Sequence, residues 1–140
     1  MIDYKTELQG KSAIVTGSTS GIGLGIAKGF AKAGVDVMLN GLSTTQEVDP
    51  ILQEIETHGI KAVYSPADMT KPDEIEKMVD DAVSAFGKID ILVNNAGIQH
   101  VEAIDTFPKA KWDAILAIDL SSAFHGMQAV IPAMKDRKWG

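Results

Sequence analysis

The most informative segment of this chain reads Thr16-Gly17-Ser18-Thr19-Ser20-Gly21-Ile22-Gly23. Residues 12–16, which lead into this segment and share Thr16 with it, are mostly small or β-branched. This composition is typical of a short buried strand. The residues after it, up to about 33, place apolar side chains at helical spacing. We therefore predict a glycine-rich turn that joins a strand to a helix.

A turn of this kind suits an anion, because unpaired N–H groups and the helix dipole meet at the start of the helix. Gly17 would permit the tight turn, Gly21 the approach of phosphates, and Gly23 close packing of the helix on the strand. The spacing Gly-x-x-x-Gly-x-Gly differs from the usual dinucleotide fingerprint. A glycine-rich turn without a ligand is therefore an alternative for this segment alone.

The rest of the chain alternates between apolar strands and amphipathic helices. We predict further strands at 35–40, 60–65 and 89–94, and helices at 45–58, from the N-cap Thr70 to Gly87, and at 109–136. This alternation is typical of an α/β fold, a Rossmann-type parallel sheet with helices on both faces. In the strand order 3-2-1-4, the loops after strands one and four face each other.

The predicted fourth strand, 89–94, is nearly all apolar, so we expect it to be buried on both faces. At the end of a sheet it would be an unprotected edge, which native sheets avoid. We therefore expect residues 1–140 to be an incomplete domain that stops before a fifth strand. In the last helix, Pro132 should cause a kink or an end. Its expected core residues are Trp112, Ile115, Leu116, Leu120, Phe124, Met127 and Val130.

Composition excludes several classes of function. A net charge of −6 argues against binding to nucleic acid or to anionic membranes. The chain has no cysteine, and its three histidines do not cluster, so no metal site is expected. No apolar run approaches the ~20 residues of a membrane span. The polar N-terminus does not resemble a signal peptide, and we expect a cytoplasmic protein.

Three motifs together resemble the short-chain dehydrogenase/reductase family of NAD(P)-dependent enzymes. They are the glycine turn, Asp68 after the third strand, and Asn94-Asn95-Ala96-Gly97 after the fourth. The resemblance runs from about residue 8 to 140 and covers the N-terminal half of that family's domain. Within the family, Asn40-Gly41, Ala96–His100 and Phe124-His125-Gly126 are most similar to bacterial members that act on D-3-hydroxybutyrate.

The resemblance implies a set of cofactor-binding residues. Asp68 and the Met69 backbone would contact adenine, Leu42 would pack on its face, and the Asn95–Gly97 loop would line the ribose and the nicotinamide side. Neither Ser20 nor the Gly41-Leu42 pair supplies a cation for a 2′-phosphate, so we expect NAD. The full set is Gly17, Thr19, Ser20, Gly21, Ile22, Gly23, Asn40, Leu42, Asp68, Met69, Asn95, Ala96 and Gly97.

Each assignment has a structural alternative. Asp68 could help to begin the following helix, and Asn94 and Asn95 could stabilise neighbouring backbone. Gln99, which the resemblance assigns to the substrate carboxylate, could be an exposed loop residue. His100 and His125 are best interpreted as a loop residue and a helix residue near a subunit contact.

The catalytic residues of the family bear on what this chain can do. Its Ser and its Tyr-x-x-x-Lys motif are not found in these 140 residues. Asp119 stands where the family has an Asn that positions a water. An Asp keeps the size but loses the N–H donors and adds a charge. Alternatively, Asp119 is an altered residue in an inactive piece.

The resemblance therefore implies that the complete protein oxidises (R)-3-hydroxybutyrate to acetoacetate with NAD, as a homotetramer. This chain would supply the cofactor-binding half and be inactive alone. One alternative is a dinucleotide-binding module without catalysis. Another is a dehydrogenase for a different small hydroxy acid or alcohol.

Overall fold

A computed structural model of the chain describes the backbone of residues 4–140 and the side chains of residues 6–140. Four parallel strands form one sheet in the order β3-β2-β1-β4, as predicted. The strands are β1 (Ser12–Val15), β2 (Asp36–Asn40), β3 (Ala62–Ser65) and β4 (Ile91–Val93). The helices are α1 (Tyr4–Leu8), α2 (Gly21–Lys32), α3 (Thr45–Glu56), α4 (Pro72–Phe86), α5 (Lys109–Ile115), a π-helical turn (Leu116–Ser121) and α6 (Ser122–Arg137).

Alternation along the strands builds two separate cores, one on each face of the sheet. Ala13 and Val15 point to the face covered by α2 and α3, where Ala27 and Val48 are also buried. Ile14, between them, points to the opposite face. There it packs with buried side chains of α4 and α6, which are Ile75, Met78, Val79, Ala82 and Val130. The predicted α/β fold with helices on both faces is confirmed.

Several local predictions were wrong. The helix α1, from Tyr4 to Leu8, was not predicted. The N-cap of α4 is Lys71, not Thr70, because the Thr70 hydroxyl donates to the carboxylate of Asp68. Pro132 lies inside α6, which continues to Arg137, so the helix does not end there, and the alternative of a kink stays a prediction.

Strand β4 and the last helix are more exposed than predicted. All three residues of β4 are only partly buried, because the strand has a neighbour on one side alone. Val130 is the one fully buried member of the seven core residues predicted for the last helix. Trp112 and Leu120 are 53% and 66% exposed. The helical face that carries them has no element of the described chain packed against it.

One helical stretch also corrects an expectation about membranes. Within the described residues, Lys109–Arg137 is long and apolar enough to cross a membrane, with a mean hydropathy of 1.4. Only 17% of its most apolar window is buried. Core helices of soluble proteins meet the same criterion, so this is a weak indication.

A buried carboxylate joins the first strand, the fourth strand and the last helix at the amino end of the sheet. Asp90 is 2% exposed and accepts a hydrogen bond of 3.1 Å from the Ser12 N–H. Its oxygens lie 3.0 Å from the Lys88 ammonium and 3.8 Å from the Arg137 guanidinium. One buried carboxylate therefore accepts a backbone N–H and is paired with two cations.

We expect Asp90→Ala to lower the free energy of unfolding by about 1–3 kcal/mol, because it leaves a buried N–H without an acceptor. The matched control is Asp81→Ala, which breaks the exposed Lys77–Asp81 pair on α4 and should cost under ~1 kcal/mol. Urea unfolding followed by circular dichroism measures both. Equal losses for the two variants would contradict the role given to Asp90.

Candidate functional site

The turn between β1 and α2 presents a row of free backbone donors. Ser20, the N-cap of α2, has extended backbone angles and makes no side-chain capping bond. Within the part of the chain that the structure describes, the N–H groups of residues 19–23 have no hydrogen-bond partner. Ile22, in this row, is 79% exposed. The turn can therefore accept an anion from solvent.

The loop after β4 holds this turn in place. The Asn95 side-chain amide donates to the Thr16 carbonyl at 2.9 Å and to the Gly17 carbonyl at 3.0 Å. In return, the Thr16 hydroxyl accepts the N–H groups of Asn95 and Ala96, each at 3.0 Å. These contacts agree with the alternative interpretation of Asn95, in which its side chain stabilises neighbouring backbone. Its contact with a ribose remains a prediction.

Asn40, at the end of β2, holds the turn from the other side. The side chain is 1% exposed. Its Oδ1 accepts the Gly17 N–H at 3.1 Å, and its Nδ2 donates to the carbonyls of Ser65 and Ala67 at 3.2 and 3.0 Å. Asn40 thus joins the loops after β1, β2 and β3. All three bonds of this amide go to backbone groups, and a contact between Asn40 and a cofactor remains a prediction.

Two glycines of the turn are required by close packing. Gly17 has a φ of +60°, and a Cβ there would lie 2.8 Å from the Ala96 Cα. A Cβ on Gly23 would lie 2.5 Å from the Asn95 Nδ2 and closer still to the Gly17 carbonyl. The predicted role of Gly23 needs adjustment, because the nearest atoms belong to the turn and to Asn95 and not to the strand. A Cβ on Gly21 would meet nothing within 4 Å, so that position is open to solvent.

An open pocket of about 270 Å³ lies beside the turn, at the carboxyl edge of the sheet. It brings together seven of the predicted cofactor residues with four that were not predicted, which are Gly41, Ala67, Ile98 and Ile118. No lining residue of this pocket is basic. The lining residues are Gly17, Asn40, Gly41, Leu42, Ala67, Asp68, Met69, Ala96, Gly97, Ile98 and Ile118.

Asp68 stands at the edge of this pocket with one oxygen already engaged. Its Oδ1 accepts the Thr70 N–H at 2.9 Å and the Thr70 hydroxyl at 2.8 Å. These bonds, the backbone one first, lower the pKa of the Asp68 carboxyl, and the charge of Lys71 adds to the effect. Asp68 therefore fixes the backbone just before α4. This agrees with the alternative interpretation, in which Asp68 helps to begin that helix. A contact with adenine through the second oxygen stays a prediction.

Asp119 and Gln99 lie on the open side of the site. Asp119 belongs to the π-helical turn, and its Oδ1 accepts the Ile98 N–H at 2.9 Å. An Asn side chain could accept the same bond, so this contact does not require the charge. Gln99 is exposed in the loop after β4. His100 pairs with Glu102 at 3.0 Å, and the His125 ring packs edge-on against Phe124.

Sequence reasoning missed Tyr64 on β3. Its hydroxyl lies 2.7 Å from the Gly41 carbonyl oxygen and 2.6 Å from that of Ser43. Burial, and next the charge of Glu47, raise the pKa of the Tyr64 hydroxyl. Its position one residue before the strand end, beside a loop at the carboxyl edge, was the signal available in the sequence.

Two of the four glycines in α2, Gly23 and Gly25, give a matched test of the turn. Gly23→Ala should cost about 1–3 kcal/mol of stability, because the new methyl overlaps the turn and Asn95. Gly25→Ala meets open space and should stabilise α2 by about 0.5–1 kcal/mol. Thermal unfolding measures both variants. Similar shifts for the two would show that the close approach at Gly23 carries no strain.

Comparison with known proteins places this arrangement in a family. Residues 11–140 match the short chain dehydrogenase family. The chain is 53% identical over 135 residues to a D-beta-hydroxybutyrate dehydrogenase of Cupriavidus necator, covering 95% of this chain and 51% of that one. It is 49% identical over 131 residues to the enzyme of the same name from Rhizobium meliloti, covering 93% and 51%. The chain thus spans about half the length of the curated relatives it matches.

Solved structures agree with the sequence relatives. L-Sorbose reductase from Gluconobacter frateurii, complexed with NADPH and L-sorbose, gives a TM-score of 0.86 at 32% identity, covering 92% of this chain and 49% of that one. A short chain dehydrogenase from Burkholderia cenocepacia in complex with NADP gives 0.85 at 36% identity, covering 89% and 51%. With its parallel sheet, its glycine turn and its Asn95 loop, this chain belongs to the short chain dehydrogenase family.

Proposed function

We propose that this chain is the NAD-binding half of a dehydrogenase that acts on (R)-3-hydroxybutyrate. The observation that carries the proposal is the row of free N–H donors at residues 19–23, which opens beside a pocket lined by the loops after all four strands. A dinucleotide needs such a row for its pyrophosphate and a pocket for its adenosine.

The residues present fit that group. Gly21 has open space where a phosphate would approach, and the donors of the turn have no competing partner in the described chain. Residues 19–23 would hold the pyrophosphate. Leu42, Asp68 and Met69 would contact adenine, and Asn95–Gly97 would line the ribose and the nicotinamide side.

Charge favours NAD over NADP. The only charged residue that lines the pocket, among those described, is the carboxylate of Asp68. The nearest described cation to it, Lys71, is already paired with Glu74 at 2.8 Å. A 2′-phosphate would therefore enter a site with no opposite charge to replace its water. Two structural relatives are complexes with NADPH or NADP, so this preference would set the chain apart from them.

In the proposed reaction, the substrate would lose a hydride from C3 and a proton from the C3 hydroxyl, and NAD, when held by this chain, would supply the hydride acceptor. Gln99 would donate its amide to the substrate carboxylate. Asp119 would hold the loop that carries Gln99 through the Ile98 N–H, and it could accept a bond from a water. The proton would pass to a Tyr assisted by a Ser and a Lys. We propose that these three residues lie in the half of the relatives' length that this chain does not span.

Activity therefore requires residues beyond these 140, and the chain alone would bind without catalysing. We place the complete protein in the cytoplasm as a homotetramer. The second candidate is a dinucleotide-binding module without chemistry. A dehydrogenase for another small hydroxy acid or alcohol is the third candidate.

Cofactor choice is tested by titrating the chain with NADH and with NADPH and following nicotinamide fluorescence. We expect NADH to bind at least about tenfold more tightly, which corresponds to about 1.4 kcal/mol. Leu42→Arg would place a cation at the pocket rim and should narrow that ratio. Gln53→Arg adds the same charge on the exposed part of α3, away from the pocket. It should leave the NADH-to-NADPH affinity ratio unchanged. Tighter NADPH binding to the unaltered chain would contradict the NAD assignment.

The reaction is tested by joining residues 1–140 to the second half of the Cupriavidus necator relative. We expect this chimera to form NADH from NAD and (R)-3-hydroxybutyrate, and not from the (S) isomer. Asp119→Asn in the chimera should raise the rate if the Asn donors matter to the relay. A folded chimera that binds NADH but oxidises no hydroxy acid would favour the module without chemistry.

A further inference from the structure

The loop between β2 and α3, residues 41–44, is held by contacts from two sides. On one side, the Tyr64 hydroxyl reaches the carbonyls of Gly41 and Ser43, at 2.7 and 2.6 Å. On the other side, the Ser43 hydroxyl donates to the Thr19 hydroxyl at 3.3 Å. The loop thus connects the end of β3 with the glycine turn.

The Tyr64 hydroxyl serves two carbonyls with a single proton. It donates to one of them at a time, or shares its proton between both. An ionised phenol could donate to neither, and a tyrosine keeps its proton at neutral pH, the more so here because burial raises the pKa of Tyr64. The ring packs against the core on the α2 and α3 face, so the hydroxyl has a fixed position. Two carbonyls of the loop therefore converge on one hydroxyl that belongs to the sheet.

The position of the Gly41 and Ser43 carbonyls determines how the loop faces the pocket. In a planar trans peptide, the carbonyl and the following N–H point in opposite directions. The Gly41 carbonyl points to Tyr64, so the Leu42 N–H points away from it. Leu42 is 78% exposed and lines the pocket. At Gly41, a Cβ would lie 2.7 Å from the Thr19 hydroxyl, so the loop has little room to move toward the turn.

We infer that Tyr64 is a positioning residue for the dinucleotide pocket. Its hydroxyl fixes residues 41–43 so that Leu42 stands at the rim, and this sets both the affinity for the adenosine end and the discrimination against a 2′-phosphate. The inference rests on the proposed binding of a dinucleotide. It assigns specificity to a residue that does not itself line the pocket.

The test compares the unaltered chain with Tyr64→Phe, which keeps the ring and removes the hydroxyl. We expect NADH to bind about tenfold more weakly and the NADH-to-NADPH affinity ratio to fall, because the loop no longer has one position. Thermolysin should also cut the Gly41–Leu42 bond several-fold faster. The matched control is Thr57→Val, which removes a hydroxyl that bonds the Glu54 carbonyl at the exposed end of α3. Its affinities and cleavage rate should equal those of the unaltered chain.

A double-mutant cycle with Leu42→Ala separates positioning from general stability. If Tyr64 acts through Leu42, the two losses of NADH affinity will not add in the double variant. Additive losses would overturn the inference. So would an unchanged NADH affinity in Leu42→Ala, a result that can be read even if Tyr64→Phe fails to fold.

The outcomes also distinguish this inference from the function on which it rests. If the unaltered chain binds neither NADH nor NADPH, the proposed function fails, and the thermolysin rates still report whether Tyr64 holds the loop. If the unaltered chain binds NADH and Tyr64→Phe binds it equally well, with the same ratio and cleavage rate, the positioning role alone is overturned.

Discussion

The loops at the carboxyl edge of the sheet must satisfy their backbone groups without a strand partner, and the rest of the site depends on how they do so. The side-chain amides of Asn40 and Asn95 supply five of the bonds. Asn95 donates twice to the turn after β1, and Asn40 connects that turn to the loop after β3. A buried backbone group left without a partner costs free energy. Hence these bonds fix the turn in one conformation, and the donors of residues 19–23 are the ones left over for a ligand.

The two ends of the sheet are stabilised by different means. At the amino end, the Asp90 carboxylate gathers a backbone N–H, a lysine and an arginine. At the carboxyl end, the bonds that hold the glycine turn come from the neutral side chains of Asn40, Asn95 and Thr16. A neutral network leaves the local field of the α2 N-terminus uncancelled. The turn that would receive an anion is therefore held without a charged side chain among its described hydrogen-bond partners.

The fold was predictable from sequence because β-α alternation and glycine positions act locally. Strand order followed from the alternation, and the resemblance to the family supplied most of the seven predicted residues that line the pocket. Exposure was not predictable for Leu120 or β4, because an apolar residue looks the same in sequence whether or not something covers it. The Thr70 error has a similar origin, since the hydroxyl had two acceptable partners and tertiary geometry chose Asp68. Tyr64 was missed because its importance comes from two carbonyls more than twenty residues away.

The Asn95 contacts have a consequence for how the chain folds. They join residues separated by 78 and 79 positions in sequence, and the β1–β4 pairing spans the same interval. Closing so long an interval costs chain entropy that local helix formation does not. Helices α2 and α3 can form early from nearby contacts, but the turn reaches its final shape only when the distant loop arrives. The site for an anion would therefore form late in folding. A partly folded chain would present only a flexible, glycine-rich segment in its place.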